Sequence, residues 1–165
     1  MIAHKRQKNL RENLIRAKLP PKCTRSQRKI YGMKKCNRPC RACPFVKEAK
    51  LIKTNSFSWQ IRKHVNCDTA NIIYILECTK CDEMYIGESK RPLKERISEH
   101  AQYVRSVIPS KATGEHFNRP GHSLSNMKFT ILEQAKKSEG LYRKERERFF
   151  INKFRTFYNG INRID

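Results

Sequence analysis

The stretch NIIYILECTKCDEMYIG, residues 71–87, decides the fold. Residues 71–77 are apolar and rich in β-branched side chains, a composition that favours a β-strand. Residues 78–81 predict a tight turn, and residues 83–87 predict a second strand. These two strands are expected to pair as a β-hairpin.

After this hairpin the chain alternates between helical and extended patterns. Residues 91–104 predict a helix, because Pro92 suits its first turn and the apolar positions recur with helical spacing. A polar loop covers residues 108–126, residues 127–133 alternate as a third strand, and residues 141–154 predict a long helix. The apolar stripe of the first helix would be Leu93, Ile97, His100 and Val104, and that of the last helix Leu141, Phe149, Phe150 and Phe154.

The resulting order of elements, β, β, α, β, α, indicates the fold class. We expect an α+β domain in which helices flank a small three-stranded antiparallel sheet. A Cys/His insertion of zinc type and a basic N-terminal extension would complete it.

The part of the chain before the hairpin has a different composition. Residues 1–35 contain 12 Lys and Arg and one acid, which predicts a partly disordered basic arm. A short helix within the arm is predicted from Leu10, Leu14 and Ile15. Residues 36–69 form a Cys-rich connector of low periodicity, which a metal ion or a partner surface would help to order. Residues 70–165 would then form the folded domain.

The formal net charge of +22 restricts the class of partner. Such an excess opposes compaction unless a polyanion neutralises it, and nucleic acid is expected because the charge is interleaved with Tyr and Phe. No run approaches the roughly 20 apolar residues of a membrane span, and the first residues lack the apolar core of a secretory signal. We therefore expect no membrane partner and a reducing compartment, in which close cysteines more often bind metal than form disulfides.

One group of Cys and His residues has the spacing of a zinc site. Cys78 and Cys81 form a C-x2-C pair, and an H-x5-H pair, His116 and His122, follows after 34 residues. Two thiolates and two imidazoles complete a tetrahedral zinc shell. His100 also lies close after the hairpin and is a rival ligand.

A second group of candidate zinc ligands lies in the connector. Its members are Cys36, Cys40, Cys43, His64 and Cys67. Cys36 and His64 compete for one position of this second site, and the sequence does not choose between them. Cys23 is expected to be a free thiol.

The polar residues of the folded part resemble those of the GIY-YIG nucleases. Tyr74 closes the triplet IIY, and Tyr85-Ile86-Gly87 follows with ten residues between the two tyrosines. Members of that family add an Arg in the first helix, a Glu in a later helix and an Asn near the end. This chain has Arg96, Glu147 and Asn162 in the same order. Its first motif lacks the family's Gly, a position that supports packing rather than chemistry.

Glu145 is a rival for the glutamate position. Glu147 is preferred because it stands in the pattern E-x-x-F-I, as in the family. The resemblance implies phosphodiester hydrolysis in which Glu147 holds one Mg²⁺ or Mn²⁺ and Arg96 holds nonbridging phosphate oxygens.

The resemblance also implies roles for the remaining residues of the set. Tyr74 would activate the attacking water, although its ordinary pKa of about 10 means that nearby cations must assist it. Tyr85 would orient the water or the phosphate, and Asn162 would brace the site. The residues expected to contact nucleic acid are Gly87, Lys90, Arg91 and Lys94.

A narrower resemblance is to the endonucleases of Penelope-like retroelements, which carry Cys and His pairs in these places. The segments NLRENLIRAKLPP and CRACPF resemble the connector between their reverse transcriptase and nuclease. This implies a DNA-nicking enzyme that serves element insertion in the nucleus, as a fragment separated from its partner, the reverse transcriptase. The alternatives are a catalytically inactive, zinc-stabilised nucleic-acid-binding module of retroelement origin, and a scaffold that binds RNA or an acidic protein through the arm.

Overall fold

The structure, a computed structural model, describes residues 31–55, 57–108, 110–135 and 140–163. The predicted helix around Leu10, Leu14 and Ile15, most of the basic arm and Cys23 lie outside these residues. The described strands are β1 (Gly32–Met33), β2 (Leu51–Lys53), β3 (Ser58–Gln60), β4 (His64–Val65), β5 (Ile72–Cys78), β6 (Met84–Ser89) and β7 (Met127–Gln134). The described α-helices are α1 (Leu93–Arg105), α2 (Ala112–Phe117) and α3 (Gly140–Phe154).

The predicted three-stranded antiparallel sheet is confirmed, with strand order β6-β5-β7. All seven residues of β5 are buried, which explains why residues 71–77 form a nearly continuous apolar run. Tyr74 lies opposite Gly87 of β6, and Leu76 lies opposite Tyr85. Since paired residues of antiparallel strands share a face, both tyrosines of the motifs point to the same side of the sheet.

Helix α1 covers the face of the sheet that carries Tyr74. The predicted stripe of Leu93, Ile97, His100 and Val104 is buried, as the spacing required. This packing brings residues of α1 over the hairpin and so positions one side of the candidate site.

Helix α3 packs its aromatic residues into the core, but one predicted core residue is wrong. Phe150 and Phe154 are buried and Phe149 is partly buried, whereas the side chain of Leu141 is 80% exposed. Leu141 precedes Phe150 by nine residues, about two and a half helical turns, and therefore lies on the opposite side of the helix.

The predicted loop over residues 108–126 is only partly irregular. It contains α2, whose residues Thr113, His116 and Phe117 are buried, and a short 3₁₀ helix, Leu124–Asn126. A Cβ on Gly114 would stand 2.7 Å from the carbonyl oxygen of Ile108. The glycine that obscured the helical pattern is thus the residue that allows α2 to approach the preceding turn.

The Cys-rich connector packs against the sheet and α3. β1 pairs with β4, and β2 pairs with β3, so the segment has more regular structure than its sequence predicts. The indole Nε1 of Trp59 donates to the carbonyl of Leu132 in β7, and its ring contacts Phe149 and Phe150 of α3. Because these contacts cross the predicted boundary between the connector and the domain that begins at residue 70, that boundary stays a prediction. Among the described helices, none has the length and apolarity that a membrane crossing requires.

Candidate active site and metal centres

Tyr74 is the centre of a buried polar cluster on the α1 face of the sheet. Its side chain is fully buried, and its hydroxyl oxygen accepts a hydrogen bond of 2.8 Å from Nε of Arg96. The same hydroxyl lies 2.7 Å from Nε2 of His100. Because Arg96 and His100 are separated by one helical turn of α1, both reach the phenol from the same helix face.

His100 is a member of this cluster that the sequence analysis did not recognise as such. Burial lowers the pKa of His100, with a further effect from the Arg96 charge, so the imidazole is neutral. The guanidinium can only donate, so the phenolic O–H of Tyr74 donates to Nε2 of His100. Nδ1 of His100 then carries the proton and donates to Oγ1 of Thr113 at 2.9 Å. The signal that could have revealed this role is the Arg-x-x-x-His spacing on α1.

The environment of Tyr74 opposes ionisation. Burial raises the pKa of Tyr74 well above 10, and the nearby Tyr85 raises it further, while Arg96 acts in the opposite direction. The ring centroids of Tyr74 and Tyr85 are 6.4 Å apart. The cation expected beside the phenol is therefore present, but burial outweighs it, and Tyr74 is protonated at neutral pH.

Arg96 is held between the phenol and a carboxylate. Its Nη1 donates to Oε2 of Glu99 at 2.6 Å, and the other oxygen of Glu99 forms an ion pair with Arg91. Arg91 thus lies beside the site, and its phosphate contact stays a prediction. Lys94 instead pairs with Asp68 of the connector at 2.8 Å, and Lys90 is exposed.

Glu147 approaches the cluster from α3. Its Oε1 accepts a hydrogen bond of 3.0 Å from the backbone N–H of Glu88 in β6. Burial raises the pKa of Glu147 to about 6, and the charge of Glu88 adds to this effect. Glu88 itself forms an ion pair of 2.6 Å with Arg143. The rival Glu145 is exposed, which supports the preference for Glu147.

Asn162 closes the free edge of β6. Its Oδ1 accepts from the backbone N–H of Ile86, and its Nδ2 donates to the carbonyl of the same residue, both at 2.8 Å. Ile161 adds a backbone hydrogen bond of 2.8 Å to Met84. The side-chain amide thus satisfies both edge groups of one residue, while a bracing role for Asn162 in the site stays a prediction.

The side chains of Cys78, Cys81, His116 and His122 converge. Their ligand atoms all lie within 4.8 Å of one another. Sγ of Cys81 is 3.6 Å from Nε2 of His116, and burial lowers the pKa of His116, which favours the neutral imidazole that a metal requires. Nε2 of His122 is buried without a hydrogen-bond partner in the described part of the chain. An orphaned ring nitrogen in such a cluster fits a zinc ligand, whereas His100, committed to Tyr74 and Thr113, does not.

The connector holds a second cluster, which consists of four sulfurs. The Sγ atoms of Cys36, Cys40, Cys43 and Cys67 lie within 4.8 Å of one another. Sγ of Cys43 and Sγ of Cys67 are 3.7 Å apart, close to the edge of about 3.8 Å expected for a tetrahedron with Zn–S bonds of about 2.3 Å. His64 is exposed and is not among the converging groups, so Cys36 takes the disputed position.

The protonation behaviour of this cluster also fits a cation. Burial and the neighbouring Cys36 and Cys43 raise the pKa of Cys67, because four crowded sulfurs cannot all ionise without a positive charge. Burial alone would raise the pKa of Cys40 as well. Hydrogen bonds from the backbone N–H groups of Ala42 and Cys43 outweigh this effect, so the pKa of Cys40 is lowered. Backbone donors that favour a thiolate are expected at a zinc site.

Comparisons with known proteins give one family match and similar solved structures. A family model described as the GIY-YIG catalytic domain matches residues 70–162. The solved structures that resemble the chain include the catalytic domain of the homing endonuclease I-TevI, with 26% identity, a TM-score of 0.49, and coverage of 56% of this chain and 97% of that chain. A mutant of the catalytic domain of the intron endonuclease I-TevI shows 25% identity, a TM-score of 0.48, and coverage of 55% and 89%. A search of curated proteins gave no match.

Proposed function

The chain belongs to the GIY-YIG catalytic domain family, and we propose on this premise that it nicks DNA by metal-dependent hydrolysis of phosphodiester bonds. Membership makes the chain a GIY-YIG endonuclease. One observation carries the proposal: Tyr74, Arg96 and His100 form a single hydrogen-bonded cluster. Glu147 lies close enough for its charge to raise the pKa of Tyr74.

Glu147 is the residue that would hold the catalytic Mg²⁺ or Mn²⁺. Its carboxylate is largely removed from water, and the neighbouring charge of Glu88 destabilises its ionised form. A divalent cation relieves both penalties, so the residues present fit the ion. When bound, the ion would polarise the scissile phosphate and offset the charge that develops there.

The protein's own residues would handle the proton. The O–H of Tyr74 already points at Nε2 of neutral His100. As Tyr74 accepts a proton from the attacking water, it can release its own proton to His100, so no free phenolate is needed. The imidazolium would be stabilised by its Nδ1–H bond to Thr113. With this relay Tyr74 can act as a base even though burial raises its pKa, because its own proton moves to His100 at the same time.

Arg96 would connect substrate binding to this relay. Its guanidinium covers the phenol and is shared with Glu99. A phosphate that competes with Glu99 for the fork of donors would draw Arg96 toward the nonbridging oxygens. That displacement would open the path of water to Tyr74, which is fully buried in the substrate-free protein.

We assign the enzyme to the insertion machinery of a Penelope-like retroelement. The support is the placement of the Cys78 and Cys81 pair between the two tyrosine motifs, with the His116 and His122 pair after α1. Zinc is the proposed ion for this cluster and for the four-cysteine cluster. The reverse transcriptase of the element would be the partner, and chromosomal DNA as substrate places the reaction in the nucleus.

A plasmid-nicking assay with Mg²⁺ or Mn²⁺ tests the proposal. Wild-type protein is expected to convert supercoiled plasmid to the open circle, while Arg96→Ala and Glu147→Ala lose this activity and still bind DNA. Glu145→Ala, at the exposed neighbouring glutamate, is the matched control and should remain active. Binding without cleavage by the wild type, with any divalent ion, would leave the inactive nucleic-acid-binding module as the function.

A further inference from the structure

Two buried side chains, Thr113 and His100, link the catalytic phenol to the Cys2His2 cluster, which consists of Cys78, Cys81, His116 and His122. Helix α2 has six residues and carries both Thr113 and the metal-ligand candidate His116. Thr113 is buried, and its Oγ1 lies 2.9 Å from Nδ1 of His100. His100 in turn lies 2.7 Å from the hydroxyl of Tyr74. Two hydrogen bonds and one turn of α2 therefore form a continuous path from the Cys2His2 cluster to the phenol.

We infer that Thr113 is a positioning residue that fixes the tautomer of His100, and that metal bound at the Cys2His2 cluster holds Thr113 in place. The inference rests on the proposed function for its kinetic consequence only. A neutral imidazole carries one proton, and the partner of one nitrogen decides which nitrogen holds it. An acceptor at Nδ1 leaves the lone pair on Nε2, where Tyr74 needs it.

The short length of α2 explains why a metal is needed. Six residues make fewer than two turns, and isolated helices of this length are not stable in water. Three of the four cluster ligands, Cys78, Cys81 and His122, come from outside α2. Ligation of His116 would thus attach the helix to the end of β5 and the following turn, and would set the position of Thr113 one turn away.

The first test removes the hydroxyl of Thr113 without changing its shape. In Thr113→Val, we expect the ¹⁵N chemical shifts of His100 to show loss of the pure Nδ1-protonated form. In DNA titrations, kcat should fall about tenfold and KM should stay within twofold, because a positioning residue supplies less than the roughly 10²–10⁴ that a whole proton-transfer group supplies. Thr113→Ser retains the hydroxyl and should restore both readouts.

A control separates positioning from a general loss of stability. Thr130→Val removes another buried hydroxyl, that of Thr130 on β7, which donates to the carbonyl of Lys47 on the face of the sheet opposite Tyr74. It should leave the His100 signals and kcat unchanged. Unchanged His100 signals in Thr113→Val would overturn the inference, and this spectroscopic readout does so whether or not the wild type cuts DNA.

The second test concerns the metal. Cys81→Ala changes the exposed ligand of the cluster, and metal analysis should show one zinc fewer per chain. We expect it to shift the His100 signals and lower kcat as Thr113→Val does, with little further effect in the double variant, since both changes break the same path. Fully additive effects of the two substitutions on kcat, or His100 signals that do not respond to zinc loss, would show that the path does not run through Thr113.

Discussion

Gly87 lies directly against the hydroxyl of Tyr74, since a Cβ at position 87 would stand 2.5 Å from the phenolic oxygen and 2.8 Å from the ring of Tyr85. From the sequence, Gly87 is expected to contact nucleic acid. That contact remains a prediction, and the structure adds a packing reason for the glycine, because only a residue without a side chain leaves room for the first tyrosine.

Gly87→Ala is therefore expected to displace Tyr74 from Arg96 and His100. Overpacking of this kind costs about 1–3 kcal/mol of stability, and a shift of about 1 Å in a catalytic group lowers the rate by about 100-fold. Nicking rates and thermal unfolding measure the two effects. Gly140→Ala is the control, because its nearest neighbour would be 3.9 Å away. A Gly87→Ala variant with wild-type nicking would contradict this account of the motif.

The hairpin could be predicted from sequence, whereas the relay beside it could not. Residues 71–77 are a short, apolar run rich in β-branched residues, and a tight turn and a second extended segment follow directly, so composition and spacing reveal the hairpin. His100 has the spacing of a core residue, and its partner Thr113 lies on a helix that Gly114 hides from any periodicity argument. Contacts between elements distant in sequence decide such a network, and propensities do not encode them.

The fourth ligand of the four-cysteine cluster in the connector could not be predicted from sequence spacing either. His64 and Cys36 were equal candidates by spacing. In the structure Val65 and Cys67 are buried while His64 is exposed. Side chains alternate along an extended segment, so His64 points away from the side that Cys67 shares with the cluster. The strand pairing of β4 with β1, which is only two residues long, was too short to predict.

Two zinc ions per chain are expected from metal analysis of the purified protein. Cys40→Ser should reduce the content to one and lower the unfolding temperature, because binding energy at a structural site contributes directly to folding. His64→Ala should retain two ions. One ion in the His64→Ala protein would restore the histidine as a ligand of the connector site.

The raised pKa of Glu147 predicts a cost in stability at neutral pH. A carboxyl group whose pKa is about 6 in the folded protein, against 4.5 as reference, favours folding in its protonated form. That contribution is present below pH 4.5 and is lost as the pH rises through 6. After allowance for partial solvation, the destabilisation at pH 8 is of the order of 1 kcal/mol.

Glu147→Gln, studied without added Mg²⁺ or Mn²⁺ so that structural zinc is retained, should consequently raise the free energy of unfolding at pH 8 and leave it nearly unchanged at pH 4. Denaturant titrations at both pH values provide the measurement. Glu145→Gln is the control: it gives the change in the free energy of unfolding that follows from loss of one exposed acid in a chain of net charge +22. This change is subtracted from that of Glu147→Gln. A Glu147→Gln protein less stable than Glu145→Gln at pH 8 would show that the carboxylate is not under strain without metal.

Asn162 provides the last prediction, because its amide pairs with both the N–H and the carbonyl of Ile86 on the open edge of β6. In Asn162→Asp the acceptor remains and the donor is lost, so the carbonyl of Ile86 faces a carboxylate. Removing a partner from such a group costs about 1–3 kcal/mol. The edge also carries Glu88, whose N–H binds Glu147, so nicking should fall together with the unfolding temperature.

The matched control for Asn162 is Asn159→Ala, an exposed asparagine three residues earlier in the same segment. It should change neither nicking nor unfolding temperature. If Asn162→Asp nicked DNA at the wild-type rate after its stability had been lowered, the amide would support the fold of the edge without influencing Glu147. Because the edge N–H of Glu88 sits two residues from the group that Asn162 binds, we expect the two losses to occur together.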